Sequence, residues 1–303
     1  MAALPSLRNL RYLVALADRL NFTRAAEDCR VTQSTLSAGV KELEEQLGVT
    51  LVERDRSRVV LTEVGEEIVA RARSLLAAAE DLTQVARAAA EPFSGTLRLG
   101  AIPTIAPFLL PEVLPAIRAG YPALTLMLRE DFTDNLLARL RRGELDFALI
   151  ALPYDTGSLV VQRLFDDELQ LIAPARHPLL AAPVLSLDAI DPQRLVLLEE
   201  GHCLRGHTLA ACGGAQARGN IEANSLYTLI EMVASGLGLA LLPLMAIRAG
   251  ALTRTALQAR PFAPRPPVRE VALVARPTSP RSREFAAIAE LIRNWAQAAR
   301  GAV

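Results

Sequence analysis

The chain is short of lysine, of cysteine and of long apolar stretches, and each shortage removes a class of protein. Lys41 is the one lysine among 33 basic residues, and 33 acidic residues leave no formal net charge. No whole-molecule field therefore draws the chain onto nucleic acid or an anionic membrane, and any basic footprint is local. Three cysteines, Cys29, Cys203 and Cys212, are too few for a disulfide scaffold, so a bond between any two of them is expected to be conditional. No segment approaches the ~20 uninterrupted apolar residues of a membrane span. The N-terminus also lacks the apolar core of a signal peptide. A cytoplasmic protein with no membrane partner is expected. A phosphate-cradling glycine loop, a Cys/His metal spacing and a Ser-His-Asp motif are likewise missing, so neither cofactor nor metal is expected. What remains is a globular composition of 303 residues, 51% apolar and 22% charged, enough for two domains, or three if one is small.

Residues 7 to 62 carry short helical patterns joined by tight connections. Leu10, Leu13, Val14 and Ala17 form one apolar stripe, Phe22-Thr23 opens a second helix, and Val31-Thr32 opens a third. In the third, Leu36, Val40, Leu43 and Leu47 face a core and leave Gln33, Ser34, Ser37 and Lys41 on the other side. Gly48 ends it, and two short β-type runs follow around the charged turn Arg54 to Arg58. The pattern predicts a helix-turn-helix with a wing, whose second helix would enter a DNA major groove. Thr32, Gln33, Ser34, Thr35 and Ser37 are then candidates to reach base edges, and Lys41, Arg54, Arg56 and Arg58 to hold phosphates. A helical protein-interaction module would show the same pattern, and residues 1 to 90 are not basic overall.

From Val64 to about Ala90, Ile68, Ala72, Leu75, Ala79, Leu82 and Ala86 repeat at alternating spacings of four and three. Such a seam predicts a helix paired with a copy of itself; a helix packed on its own domain is the alternative. Glu91-Pro92-Phe93-Ser94-Gly95 reads as a hinge. Beyond it strand and helix patterns alternate, which predicts an α/β domain with a mostly parallel sheet in two lobes, crossed near the proline-rich stretch 261 to 267. The expected domains are 1–63, 64–91 and 92–303, the last with one lobe at about 95–165 plus 269–303 and the other at about 166–268.

Phe22-Thr23-Arg24-Ala25-Ala26, the run Val31 to Ser37, the run Leu43 to Gly48, and Leu61-Thr62-Glu63-Val64-Gly65 together resemble the winged helix-turn-helix of LysR-type transcriptional regulators. The layout of DNA-binding domain, linker helix and two-lobed α/β domain extends the resemblance over the whole chain. It implies binding to double-stranded promoter DNA, an effector domain like type 2 periplasmic-binding proteins, and a homotetramer built as a dimer of dimers. RNA polymerase is the partner such a regulator implies. Ser34 stands where many members have proline; serine also starts helices.

Cys203 lies within four residues of His202, Arg205 and His207, and cationic neighbours favour the reactive thiolate. Cys212 lies nine residues further on. On one helix that spacing separates the Cα atoms by roughly 13 Å, whereas a disulfide requires about 7 Å or less. Bonding the two from a helix therefore requires unwinding, which Gly201, Gly206, Gly213 and Gly214 make easier. Two cysteines at this distance are also compatible with no relation at all. Gly201-His202-Cys203-Leu204-Arg205, with the second cysteine at this spacing, resembles the hydrogen-peroxide-sensing members of the family. That resemblance implies a peroxidatic Cys203, a resolving Cys212, reversible disulfide formation, control of antioxidant genes, and re-reduction by a dithiol protein such as glutaredoxin or thioredoxin. It further implies a pocket with Thr104 and Thr133 as hydroxyl donors, His202 and Arg205 as polar partners of the cysteine, and Arg276 approaching from the other lobe. Helix capping is the plainer role for either threonine. Gly206 departs from the acidic residue common at that place, and Cys212 precedes two glycines; both bear on how the switch is tuned. Cys29 fits a small buried residue. Rival functions are a LysR-type regulator responding to a small metabolite between the lobes, a thiol peroxidase carrying a DNA-binding domain, and periplasmic solute binding, which the missing signal peptide disfavours.

Overall fold

The computed structural model describes residues 4–54, 59–213 and 221–301. The chain divides into two compact units, one running to Ala89 and including Arg141–Glu144, the other formed by Ala90–Leu140 and the chain from Leu145 on. None of the described helices is long and apolar enough to cross a membrane.

The first unit is helical because each turn of its sequence supplies a cap. Helix α1 (Leu7–Arg19) starts on Ser6, α2 (Phe22–Cys29) on Asn21 and α3 (Gln33–Leu47) on Thr32, and each of these side chains accepts a backbone N–H of the first turn. Leu13, Leu16, Leu36, Val40 and Leu43 meet in a core without solvent exposure. The wing is an antiparallel pair, β1 (Val52–Arg54) and β2 (Val59–Leu61). Helix α4 (Glu63–Ala90) then runs on. Its first turns bury Val69 and Ala72 on the domain core, whereas Leu75 and Leu82 of the expected seam stand 56% and 73% exposed on the single chain.

The second unit alternates β3 (Gly95–Ala101), α5 (Ala106–Gly120), β4 (Leu124–Glu130), α6 (Thr133–Arg141) and β5 (Phe147–Leu152). It continues with β6 (Val160–Pro174), α7 (Pro178–Ala181), β7 (Leu197–Leu198), α8 (Cys203–Ala211), β8 (Glu222–Ala223) and α9 (Leu226–Ala234). The last elements are β9 (Ala240–Pro243), α10 (Leu244–Arg248), β10 (Leu257–Arg260), β11 (Val268–Ala275) and α11 (Ser282–Gly301). The expected mostly parallel sheet is mixed instead. In the seven-stranded sheet β3 pairs in parallel with β4 and β5, while β11 runs antiparallel to both β5 and β6, and β6 antiparallel to β9 and β10; β7 and β8 form a separate parallel pair. The cause is β6, whose fifteen residues carry it through both halves of the unit. Its first part, to Glu168, pairs with β11, and Leu169 onward pairs with β9 and β10. Sequence patterning predicted only Leu169 to Ala173, because Asp166-Asp167-Glu168 breaks the apolar run; in the fold Asp167 turns inward onto a cation. The result is an α/β unit whose two halves share the single strand β6.

Candidate functional site

Cys203 is the first residue of α8, directly after the turn that leaves β7. Turning there requires Gly201, whose φ is +99° and whose absent Cβ would lie 3.2 Å from the Phe132 ring. The ring of Phe132 meets His202 edge-on at 4.7 Å. The crevice at the thiol is tight, with no free volume for a water-sized body, and is walled by Ile102, Pro103, Thr104, Phe132, Thr133 and His202.

Four groups define its chemistry. Thr133, at the start of α6, is buried; its hydroxyl lies by the Cys203 thiol and bonds to no protein oxygen or nitrogen. Thr104, in the β3–α5 connection, is equally buried. Its hydroxyl does not cap α5; it accepts a 2.7 Å hydrogen bond from Arg269 Nη1, and its carbonyl accepts one from Nη2 at 2.9 Å. Arg269 has no solvent exposure and also donates to Asp167 at 2.9 Å and 3.1 Å. His202 contacts the Asn224 carbonyl through Nε2 at 3.2 Å, tying the head of α8 to the segment before α9.

The expectation of a cation-activated thiolate needs correction. Burial pushes the Cys203 thiol above its ordinary pKa, opposed by Arg269, by Thr133 and by the N–H groups of Cys203 and Leu204. Burial also pushes His202 down, and takes His207 to about 4, with Arg269 adding to the latter shift. Both imidazoles are neutral at pH 7. Arg205 does not reach the thiol: its Nη1 donates to the Leu198 carbonyl at 2.9 Å and pairs with Glu222 at 2.8 Å, so it fastens α8 to the β7–β8 pair. Arg276 is not the pocket cation. Its Nη1 donates to the Leu140 and Leu145 carbonyls at 2.8 and 3.0 Å, at the far end of β11 and roughly 23 Å of strand from Arg269.

Arg269 is the residue that sequence reasoning missed. Its local signal is parity: it shares a face of β11 with Val271 and Leu273, both buried, and an arginine on an inward face requires a buried partner. Tyr154 was missed too. Burial and a hydrogen bond to Asp134 push its hydroxyl up to about 12, and it lies near enough to feel charge on Cys203.

Cys212 caps the C-terminus of α8, its N–H bonded to the Thr208 carbonyl. Both cysteines, and Cys29, are free thiols. Gly214 lies outside the described residues. No group of His, Cys, Asp and Glu among the described residues is arranged to hold a metal ion.

In the helical unit, Thr32, Gln33, Ser34 and Thr35 are exposed at the head of α3, and Ser37 is half-buried one turn on. Thr32 Oγ1 lies 2.9 Å from Ser34 Oγ and 2.8 Å from Thr35 Oγ1, and the Thr23 hydroxyl lies 3.4 Å from Gln33 Oε1. Lys41 is exposed and pairs with Glu45 at 3.4 Å. Arg56, Arg58 and the side chain of Arg54 lie outside the described residues.

Residues 7–66 match the family described as bacterial regulatory helix-turn-helix protein, lysR family, and residues 90–297 match the LysR substrate binding domain. The HTH-type transcriptional regulator EstR of Acinetobacter baylyi is 45% identical over 97% of this chain and 98% of its own. A probable hydrogen peroxide-inducible genes activator of Streptomyces viridosporus is 40% identical over 95% and 94%. Among solved structures, a cysteine-to-aspartate variant of full-length OxyR from Pseudomonas aeruginosa superposes with a TM-score of 0.78 at 39% identity, covering 96% of this chain and 95% of that one. A cysteine variant of Corynebacterium glutamicum OxyR with hydrogen peroxide bound does so with a TM-score of 0.67 at 33% identity, covering 99% and 95%. A capped helix-turn-helix with an exposed polar recognition helix, followed by a two-lobed α/β unit, is thus accounted for over nearly the whole chain: it belongs to the LysR family of DNA-binding bacterial transcriptional regulators, and it is not an enzyme.

Proposed function

We propose that this regulator senses hydrogen peroxide through Cys203 and Cys212 and controls antioxidant genes. The observation that carries the reading is the crevice itself: a thiol at a helix N-terminus, facing a buried hydroxyl without an oxygen or nitrogen partner, with a second free thiol at the other end of the same helix. The partner of that hydroxyl is the Cys203 sulfur, a weak one, and a hydroxylic ligand such as peroxide offers a stronger one.

In the reaction, Cys203 loses its proton and its sulfur attacks one oxygen of peroxide. The S–O bond forms as O–O breaks, sulfur is oxidised to sulfenic acid, and the departing hydroxide takes the proton as water. Cys212 then attacks that sulfur; the S–S bond forms, S–O breaks, and a second water leaves. A dithiol protein of the glutaredoxin or thioredoxin type returns both thiols by exchange. Arg269 and Thr133 stabilise the developing thiolate, and Thr104, held by Arg269, presents its hydroxyl to the same space. On promoter DNA the protein is a homotetramer, a dimer of dimers, bound in both redox states; Thr32 to Ser37 contact base edges and Lys41 with the wing arginines contacts phosphates. Oxidation changes the half-site spacing and so the contact with RNA polymerase.

The rival reading, a regulator responding to a small metabolite between the lobes, requires a pocket of about 300–1,000 Å³; the crevice at Cys203 has no free volume for even a water-sized body and does not supply it. The test is titration of reduced protein with peroxide and disulfide mapping by non-reducing peptide mass spectrometry, with Cys203→Ser and Cys212→Ser alongside. A Cys203–Cys212 bridge at near-stoichiometric peroxide, reversed by dithiol, is the expected result. Cys203 still reduced at large excess would overturn the reading.

A further inference from the structure

A second cavity, unrelated to the thiols, lies among α5, β6, α10 and α11. It holds about 440 Å³, within the range of small-molecule sites. Phe108, Phe165 and Trp295 give it aromatic walls, and the last two meet edge-on at 5.8 Å. Carboxylates of Glu112, Asp166 and Glu168 line it as well. A fourth, Asp167, is already matched by Arg269. Arg248 is the basic residue of the lining, and its Nη1 donates to the Ala299 carbonyl. Asp166 is also engaged by another group, so Glu112 and Glu168 are the acids set against the one guanidinium of the lining, beside the aromatic rings. The acids are spread around the walls, and among the described residues no group of them is arranged to hold a metal ion. An anion is repelled, while a cation with an apolar body gains both charge and ring faces.

We infer that this cavity binds a small organic cation, an ammonium carried on an aromatic or aliphatic body. Binding does not depend on the peroxide reading. One extension does: Asp167 lines this cavity and grips Arg269, whose charge acts on Cys203, so occupancy is placed to alter the rate of thiol oxidation.

The test uses the full-length reduced protein, because Trp295 is the single tryptophan of the chain and its fluorescence reports on this wall alone. Phenethylammonium chloride is the probe, with 2-phenylethanol and phenylacetate as neutral and anionic counterparts. The expected result is a saturable change with a Kd of about 1 mM or tighter, roughly tenfold weaker binding of the alcohol, and none of phenylacetate. In Glu112→Gln/Glu168→Gln, binding of the ammonium weakens by about tenfold while promoter binding is kept. No saturable change, or equal response to amine and alcohol, overturns the proposal whether or not that variant folds. A failed peroxide titration with intact ammonium binding would sink the peroxide reading and leave this one standing.

Discussion

At the scale of single residues, the site is organised by one arginine that carries no solvent exposure. Arg269 makes two bonds to Thr104 and two to Asp167, so its removal leaves a buried carboxylate with only the Met245 N–H for company. Arg269→Leu is expected to cost about 3–5 kcal/mol in urea unfolding, and Arg269→Met with Asp167→Leu to recover most of it, since apolar replacement of a buried pair is close to neutral. If the double variant is no more stable than the single one, the pair is not the source of the loss. His207 gives a pH prediction. Its pKa falls from 6.5 to about 4 in the folded protein, so between those values the unfolded chain binds the extra proton and stability rises with pH. Stability is therefore lost as pH drops from about 6.5 to about 4, by at most about 3 kcal/mol, and levels below that. Urea melts across this window should show the slope, and His207→Gln should flatten it; His202, shifted the same way, leaves a residual. Cys203 and Cys212 were singled out by their neighbours and by resemblance, and the structure places them at the two ends of α8. Arg269 was not singled out, because it lies 66 residues beyond Cys203, and its parity with Val271 and Leu273 is blurred by the equally apolar Ala272 and Val274 on the other face of β11.

Among the elements, α8 is the one on which the proposed switch rests. Its cysteines sit at opposite ends of a helix of nine residues, and a disulfide forms only once that helix opens. Gly206 lies inside it, at an ordinary helical φ, where an added Cβ meets nothing within 4 Å. Gly206→Ala is therefore expected to stabilise the reduced helix by about 0.5–1 kcal/mol. Sulfenic acid formation at Cys203 should keep its rate, while disulfide closure slows by up to about fivefold; trapping the sulfenic acid with dimedone during rapid mixing separates the two. Equal slowing of both steps would place the effect at the pocket, not the helix. Helices α1, α2 and α3 were legible because caps and apolar periodicity agree at each one, whereas α5 and α8 start without a side-chain cap and α7 and α10 are too short to show a period. The sheet was less so: β6 hides behind three consecutive acids, and partner direction depends on crossovers that periodicity does not encode.

For the molecule as a whole, a net charge of zero makes DNA affinity depend on assembling two recognition helices, not on long-range attraction. The exposed seam of α4 is where that assembly is expected. Leu82→Glu should shift the protein toward monomer in sedimentation equilibrium and weaken promoter binding by tenfold or more, about 1.4 kcal/mol. An unchanged oligomer would move the interface elsewhere. Family and layout were readable over the full length from a few turn and helix motifs, whereas the cavity beside Trp295 was not, since its walls come from four elements far apart in sequence. Finally, β6 has a mechanical meaning. One continuous strand is hydrogen-bonded into both halves of the effector unit, and the Asp167–Arg269 pair clamps it near the point where its partners change. A clamshell that closes on its ligand bends where its halves cross; here that crossing is a continuous strand held by a buried ion pair. Under the proposed function, a signal at Cys203 is therefore carried by the chain around α8 and not by closure of the two halves.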